Sequence, residues 1–369
     1  MDNPFLLSGY KSPEYFCDRE EETARVLNAV SNHRNLTIYS PRRMGKTALI
    51  KHSFQSMAGS GEFTTVYVNI LTTTSPADFT ATFGRAVLSP AARDESLLKK
   101  VMKQLPSLRL KLSIDPLTGE PAITPGAMGT AESEEALDTI FRYMASRKQK
   151  YVIAIDEFQQ IAAYQYRQTE VLIRKQLQES SNISFIFSGS RQHRLADILA
   201  KPGSPLFNSP EIIQTGAINP AVYKSFISAR FEEGGRSVSE AALDYIEEIT
   251  GMHTFYVQYL CNRLYDNDRK TKKDNVKEML MRIIAENEPV YANYLALLTP
   301  TQFRLLKAVA LNRGVATPTA SEFLSEYRLG APSSVSQALK SLTEKQLLYR
   351  DGKMHKLTDV FLGWWMVYR

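Results

Sequence analysis

Leu36-Thr37-Ile38-Tyr39-Ser40-Pro41-Arg42-Arg43-Met44-Gly45-Lys46-Thr47 is the stretch on which the fold turns. It passes from an apolar strand pattern, through a loop of Pro, Arg and Gly, into a helical pattern carrying Leu49, Ile50 and Phe54. A strand, a tight loop and a helix in direct succession bring backbone N–H groups and a helix N-terminus to one point, an arrangement that cradles phosphate. Gly45 permits close backbone approach, Lys46 offers a point charge, and the Thr47 hydroxyl is a ligand for Mg²⁺. The full pattern is G-x-x-x-x-G-K-[ST], and Ser40 stands at its first glycine. Serine fits there if its φ stays negative.

Outward from this loop, four further runs read as strands: Thr64–Ile70, Tyr151–Ile155, Ile183–Phe187 and Glu211–Gln214. Nearly continuous apolar runs are what a parallel sheet covered on both faces requires. Helical patterns fall between them, as at Leu137, Ile140, Phe141 and Met144 with i, i+3, i+4, i+7 spacing. The expected fold class is α/β, a doubly wound P-loop NTPase parallel sheet.

The Tyr151–Ile155 run ends in Asp156-Glu157. Two carboxylates after an apolar strand are costly unless a cation or water network satisfies them. With the phosphate loop upstream, Asp156 joins Thr47 as a Mg²⁺ ligand and Glu157 polarises an attacking water. The expected cofactors are ATP and Mg²⁺, cradled by Ser40, Pro41, Arg42, Arg43, Met44, Gly45, Lys46 and Thr47. At the end of the next strand stand Ser188, Ser190 and Arg191. They occupy the place where the P-loop NTPase division that these motifs resemble carries a γ-phosphate-sensing polar residue, which makes Ser190 and Arg191 candidate nucleotide contacts; Arg191 reads equally as a solvated loop arginine.

Three further segments complete the division. Residues 106–128 are rich in Pro and Gly, with alternating Leu108, Leu110, Leu112 and Ile114, and read as a hairpin insertion within an α/β domain of residues 1–218. Residues 219–296 read as purely helical, a small helical bundle with a capping box over Ser237-Val238-Ser239-Glu240 and a helix stop at Gly251. Residues 297–369 read as a winged helix domain: helices opened by Thr299-Pro300-Thr301-Gln302, by Thr319 with Glu322 and by Ser333, then a hairpin turning at Asp351-Gly352.

The formal net charge is +6, and residues 299–369 carry ten Lys and Arg against five acids. The last segment therefore holds +5 and the rest of the chain only +1, which points to an anionic partner for the winged helix. Outward positions Ser334, Ser336, Gln337, Lys340 and Ser341 suit insertion into a major groove, and Arg350, Lys353, His355 and Lys356 line the wing. Ser334, Gln337, Lys340, Arg350, Lys353 and Lys356 are the candidate contacts to double-stranded DNA; a protein-interaction face is the alternative. Trp364 and Trp365 read as packing residues. The two cysteines, Cys17 and Cys261, form no disulfide or metal pattern. No signal peptide is visible, and no stretch approaches the ~18 apolar residues of a membrane span, so a cytoplasmic location is expected.

Phe16-Cys17-Asp18-Arg19-Glu20-Glu21-Glu22, Tyr39–Thr47 and Ile155-Asp156-Glu157-Phe158-Gln159 resemble the archaeal-type ATPases, STAND/AAA+-like proteins similar also to the Orc/Cdc6 initiators. The resemblance implies a helical lid and a C-terminal winged helix. Two departures stand out: Ser40 for Gly, and Gly251-Met252-His253 where relatives carry Gly-x-Pro. Many members also carry a nuclease-like domain, which is not expected here. The expected function is an ATP-binding, ATP-hydrolysing switch that couples nucleotide state to DNA binding, with Lys46, Asp156, Glu157 and Arg191 as catalytic residues. The alternative is a nucleotide-gated regulator or protein scaffold that barely hydrolyses. A homo-oligomer, in which an arginine arrives from a neighbour, is compatible with both.

Overall fold

A computed structural model describes residues 3–92, 99, 103, 111–114, 121–124, 129–165, 167–190, 192–199, 201–207, 210–267 and 269–369. Contacts divide the chain into two compact units. One comprises Arg19–Ser40 and Gly45–Gly216; the other comprises Met1–Asp18, Pro41–Met44 and Ala217–Arg369.

The first unit alternates helix and strand: α1 (Glu20–Ser31), β1 (Leu36–Tyr39), α2 (Lys46–Ala58), β2 (Phe63–Asn69), α3 (Pro76–Ala92), β3 (Lys111–Ile114), β4 (Pro121–Thr124), α4 (Thr130–Ala145), β5 (Lys150–Asp156), α5 (Gln168–Glu179), β6 (Ile183–Gly189), α6 (Gln192–Leu199) and β7 (Glu211–Gln214). Five strands form one sheet in the order β2-β5-β6-β1-β7. Every pair in it is parallel. The apolar runs are buried as a covered parallel sheet demands: all four residues of β1 and all seven of β6 are buried. Leu137, Ile140, Phe141 and Met144 of α4 are buried at 1% exposure or less, so the 3.6-residue period marks the covered face. Phe141 packs edge-on to Phe185, which stacks on Phe187. The registers Asn69↔Asp156, Ile155↔Phe187 and Tyr39↔Gly189 bring four strand ends to one edge of the sheet. In the 106–128 insertion, β3 and β4 pair antiparallel, Lys111 with Thr124 through Ile114 with Pro121.

The second unit holds α7 (Pro220–Glu233), β8 (Ser237–Val238), α8 (Glu240–Thr250), α9 (Thr254–Asn267), β9 (Lys270–Thr271) and α10 (Lys273–Ala296). It continues with α11 (Pro300–Leu311), α12 (Ser321–Glu326), α13 (Pro332–Glu344), β10 (Leu348–Asp351), β11 (Met354–Leu357) and α14 (Val360–Tyr368). Residues 219–296 are not purely helical, because β8 and β9 pair in parallel. The cap of α8 is Ser239, whose side chain accepts from Ala242 N, and Ser237 lies in β8 instead. The stop at Gly251 is as expected, with φ +55°. Thr299 and Gln302 close the capping box that opens α11. The N-caps of α12 and α13 are Ala320 and Ala331, without side-chain caps. Asp351 pairs with Met354, so the wing turns on Gly352-Lys353, one residue later than read, with Gly352 supplying φ +58°.

Phe5 explains why the N-terminal segment belongs to this second unit. It is 1% exposed and its ring meets Phe231 at 5.3 Å and Tyr265 at 6.0 Å. Trp365 packs on Tyr291 at 5.7 Å, and Trp364 donates to the Ile249 carbonyl at 2.9 Å. Both tryptophans thus serve the core of their own unit. Cys17 and Cys261 are buried free thiols.

Candidate functional site

The sheet edge at which β2, β5, β6 and β1 end carries the chemistry. Asp156, the last residue of β5, is 2% exposed. Its Oδ2 accepts from the Thr47 hydroxyl at 2.8 Å and from the Tyr67 hydroxyl at 2.6 Å. Its Oδ1 accepts from the Ser188 hydroxyl and, at 3.0 Å, from the Glu157 N–H. Four donors occupy the four lone-pair positions of a carboxylate. Burial pushes the Asp156 carboxyl up, but the hydrogen bonds from Ser188, Tyr67 and Thr47 and the charge of Lys46 outweigh it and hold the group below its ordinary range. The same burial, with Asp156 beside it, pushes the Tyr67 phenol up and keeps it a donor.

Lys46 opens α2 directly after Gly45, whose φ of +90° only glycine adopts freely. Lys46 is 6% exposed, and its Nζ reaches the Ser40 carbonyl at 3.3 Å. Ser40 is fully buried and lies outside the positive-φ residues, so its Cβ meets no backbone strain. Its substitution for glycine is therefore tolerated by the loop as built. Thr47, one residue into α2, donates its proton to Asp156 and so keeps its oxygen lone pairs for another partner. The Thr47 hydroxyl oxygen is a hard ligand of the kind Mg²⁺ takes, and the Asp156 carboxylate 2.8 Å away, its lone pairs already met, would act on such a cation through its charge.

Glu157 adopts φ +58°, a left-handed conformation that turns its side chain off the strand. Its Oε2 accepts from Gln159 Nε2 and lies 3.5 Å from Ser190 Oγ. Gly189 is needed here for close approach: a Cβ would overlap Gln159 Oε1 and press on Leu195 Cδ1 at 2.9 Å. The structure thus gathers Lys46, Thr47, Asp156, Glu157 and Ser190 at one sheet edge. Arg191 lies outside the described residues.

Pro41, Arg42, Arg43 and Met44 belong to the second unit. Arg43 has φ +65°, and its guanidinium lies 4.4 Å over the Phe255 ring. Arg42 Nη1 reaches Gln346 Oε1 at 3.3 Å. His253, in the place of the Gly-x-Pro proline, is 4% exposed and packs edge-on to Tyr256 at 4.9 Å.

On the winged helix, Ser334, Gln337, Lys340, Arg350 and Lys353 are exposed. Lys356 is half-buried and paired with Asp351 at 2.8 Å, and Arg350 Nε is held by the Gly352 carbonyl at 3.0 Å. Ser341 is not outward: its hydroxyl accepts from Gln302 at 3.0 Å. Sequence reasoning missed Tyr67 entirely and missed Ser188 as a partner of Asp156. Tyr67 lies two residues before Asn69, which is paired with Asp156, so strand alternation puts it on the same face.

Residues 16–185 match the family described as an ATPase domain predominantly from Archaea. Residues 289–368 match the family described as a probable winged helix domain. No curated protein matches the chain in sequence. Among solved structures, a Walker-type ATPase of Pyrococcus abyssi superposes with TM-score 0.68 at 17% identity, covering 99% of each chain. The Aeropyrum pernix ORC2 protein, in its ADPNP-ADP complexes, superposes with TM-score 0.58 at 15% identity, covering 100% of this chain and 97% of its own. The Aeropyrum pernix ORC1 protein in complex with DNA gives TM-score 0.55 at 12% identity, covering 100% and 96%. At these identities the likeness is one of fold.

Proposed function

We propose that this chain, which carries an ATPase domain of the archaeal type and a C-terminal winged helix domain, is an ATP-hydrolysing switch whose nucleotide state governs binding of the winged helix to double-stranded DNA. The observation that carries the nucleotide half is the Thr47–Asp156 hydrogen bond of 2.8 Å beside Lys46. Thr47 would hold Mg²⁺, with the Asp156 carboxylate behind it supplying negative charge, and Mg²⁺ when bound supplies positive charge against the phosphate oxygens. Lys46 and the backbone N–H groups of the Ser40–Thr47 loop bind and orient the β- and γ-phosphates. Glu157 accepts the proton of the attacking water, and Gln159 and Ser190 orient its carboxylate. Exposed Lys340, Arg350 and Lys353, with Ser334 and Gln337, supply the DNA face.

A second reading rests on the same Gln159 contact. With Glu157 Oε2 engaged by Gln159 and Ser190, the chain acts as a nucleotide-gated scaffold that binds ADP or ATP tightly and turns over slowly. Phosphate release from ATP and Mg²⁺, with and without duplex DNA, separates the two. The switch reading expects release that DNA changes and that Glu157→Gln abolishes while ATP still binds. Undiminished release from Glu157→Gln would remove its proposed role, and ATP binding by Lys46→Ala at wild-type affinity would overturn the nucleotide site.

A further inference from the structure

Arg43 sits two residues before Gly45 in the phosphate loop, yet its guanidinium packs on Phe255, in the unit to which Arg43 belongs. Its φ of +65° is disfavoured for a residue with a Cβ, so something must hold it. Its carbonyl accepts from Phe255 N at 3.2 Å, in the first turn of α9. Its guanidinium lies 4.4 Å over the Phe255 ring, and its charge acts on the Tyr256 hydroxyl. Tyr256 in turn donates to the Thr358 carbonyl at 3.0 Å and meets the Phe361 ring edge-on at 5.0 Å. Asp359, on which the Arg43 charge acts, caps α14 by accepting from Phe361 N and Leu362 N at 3.0 Å each. A chain of directed contacts therefore runs from a phosphate-loop residue to the cap of the last helix.

The neighbouring residue borders a cavity. Met44 lines a cavity of about 260 Å³ with Gly251, His253, Val309, Arg313 and Trp364.

We propose that Arg43 is a tether through which phosphate in the loop and the cap of α14 report on each other, with Tyr256 and Asp359 as its positioning residues. The proposal rests on the nucleotide reading above. The φ of Arg43 sets the direction in which the following loop N–H points. Phosphate that engages the loop N–H groups acts on the same backbone torsions that the Phe255, Tyr256 and Asp359 contacts hold. Coupling of this kind is reciprocal: what nucleotide does to the α14 cap, the cap does to nucleotide affinity.

The test uses the full chain with ADP and Mg²⁺ as the probe. Amide hydrogen exchange is followed at Phe361 and Leu362, at ADP concentrations that saturate each variant. Wild type is expected to change exchange there severalfold on adding ADP. Arg43→Gly keeps the loop conformation, because glycine adopts φ +65° freely, but removes the tether; its exchange is expected to ignore ADP. Asp359→Asn is expected to shift ADP affinity about five- to tenfold, within the usual range of site-to-site coupling. That shift is expected to vanish when combined with Arg43→Gly. Wild type that binds ADP without any change at Phe361 and Leu362 overturns the tether alone. So does Arg43→Gly that still responds, or that fails to bind ADP. Wild type that binds no ADP overturns the nucleotide reading as well.

Discussion

The Thr47 hydroxyl donates a 2.8 Å hydrogen bond to Asp156 Oδ2 across 109 residues of sequence. The bond fixes the hydroxyl's proton and leaves its lone pairs for a cation. Thr47→Ser keeps the donor and should retain Mg²⁺-dependent nucleotide binding. Thr47→Val removes both donor and ligand, and should weaken binding in Mg²⁺ by roughly tenfold or more while leaving binding in EDTA nearly unchanged. Titration with ADP in each buffer checks it, and equal losses in both buffers would place Thr47 outside the metal site.

Tyr67 donates to the same oxygen at 2.6 Å. Tyr67→Phe deletes one of four donors to a carboxylate that is 2% exposed, a loss of about 1–2 kcal/mol at neutral pH. The folded-state pKa of Asp156 lies below its ordinary value, so its contribution to stability is full above about pH 4 and is lost as pH falls through the folded value. Removing a donor raises that folded value, so acid unfolding of Tyr67→Phe should begin at higher pH than in wild type. Urea unfolding at several pH values between neutral and about 3 measures both effects. A Tyr67→Phe curve parallel to wild type at all pH values would mean that the phenol does not act on Asp156.

Much of this site was legible because its parts are local. Ser40–Thr47 announces a strand, a loop and a helix within twelve residues from Leu36, and Asp156-Glu157 closes an apolar run; local patterns of that kind survive without knowledge of the partner strand. Tyr67 was not legible because its role depends on the register Asn69↔Asp156, and register between β2 and β5 is set by core packing across 87 residues. The tether at Arg43 was hidden for a related reason. Paired arginines in a phosphate loop read as phosphate ligands, and only tertiary structure shows Phe255 and Tyr256 beside one of them. The wing's turn slipped by one residue because Asp351-Gly352 and Gly352-Lys353 both satisfy a two-residue loop, and the pairing Asp351↔Met354 decides between them.

Gly189 ends β6 against the Gln159 side chain that holds Glu157. Gly189→Ala should cost about 1–3 kcal/mol, since its Cβ must displace Gln159 Oε1 and Leu195 Cδ1. Because the obstructing atoms are side-chain ends, Gln159→Ala in the same chain should restore most of that loss. The pair forms a double-mutant cycle read by denaturant unfolding, with a coupling of about 1 kcal/mol or more. Additive losses would mean that the two residues do not meet.

Lys340, Arg350 and Lys353 stand exposed on the winged helix, whereas Lys356 is paired with Asp351 at 2.8 Å. A free lysine that reaches a DNA phosphate releases a counterion and adds about 0.9 to the slope of log affinity against log salt concentration. Lys340→Ala and Lys353→Ala should therefore each flatten that slope by about 0.9 and weaken binding to any duplex alike. Lys356→Ala should do less, because the lysine's charge is already met by Asp351. Breaking that pair from the other side, with Asp351→Asn, should free Lys356 and steepen the slope. Fluorescence anisotropy with duplex DNA across a salt series reads all four. If Lys340→Ala and Lys353→Ala leave the slope untouched while a protein partner is lost, the basic face serves protein rather than DNA.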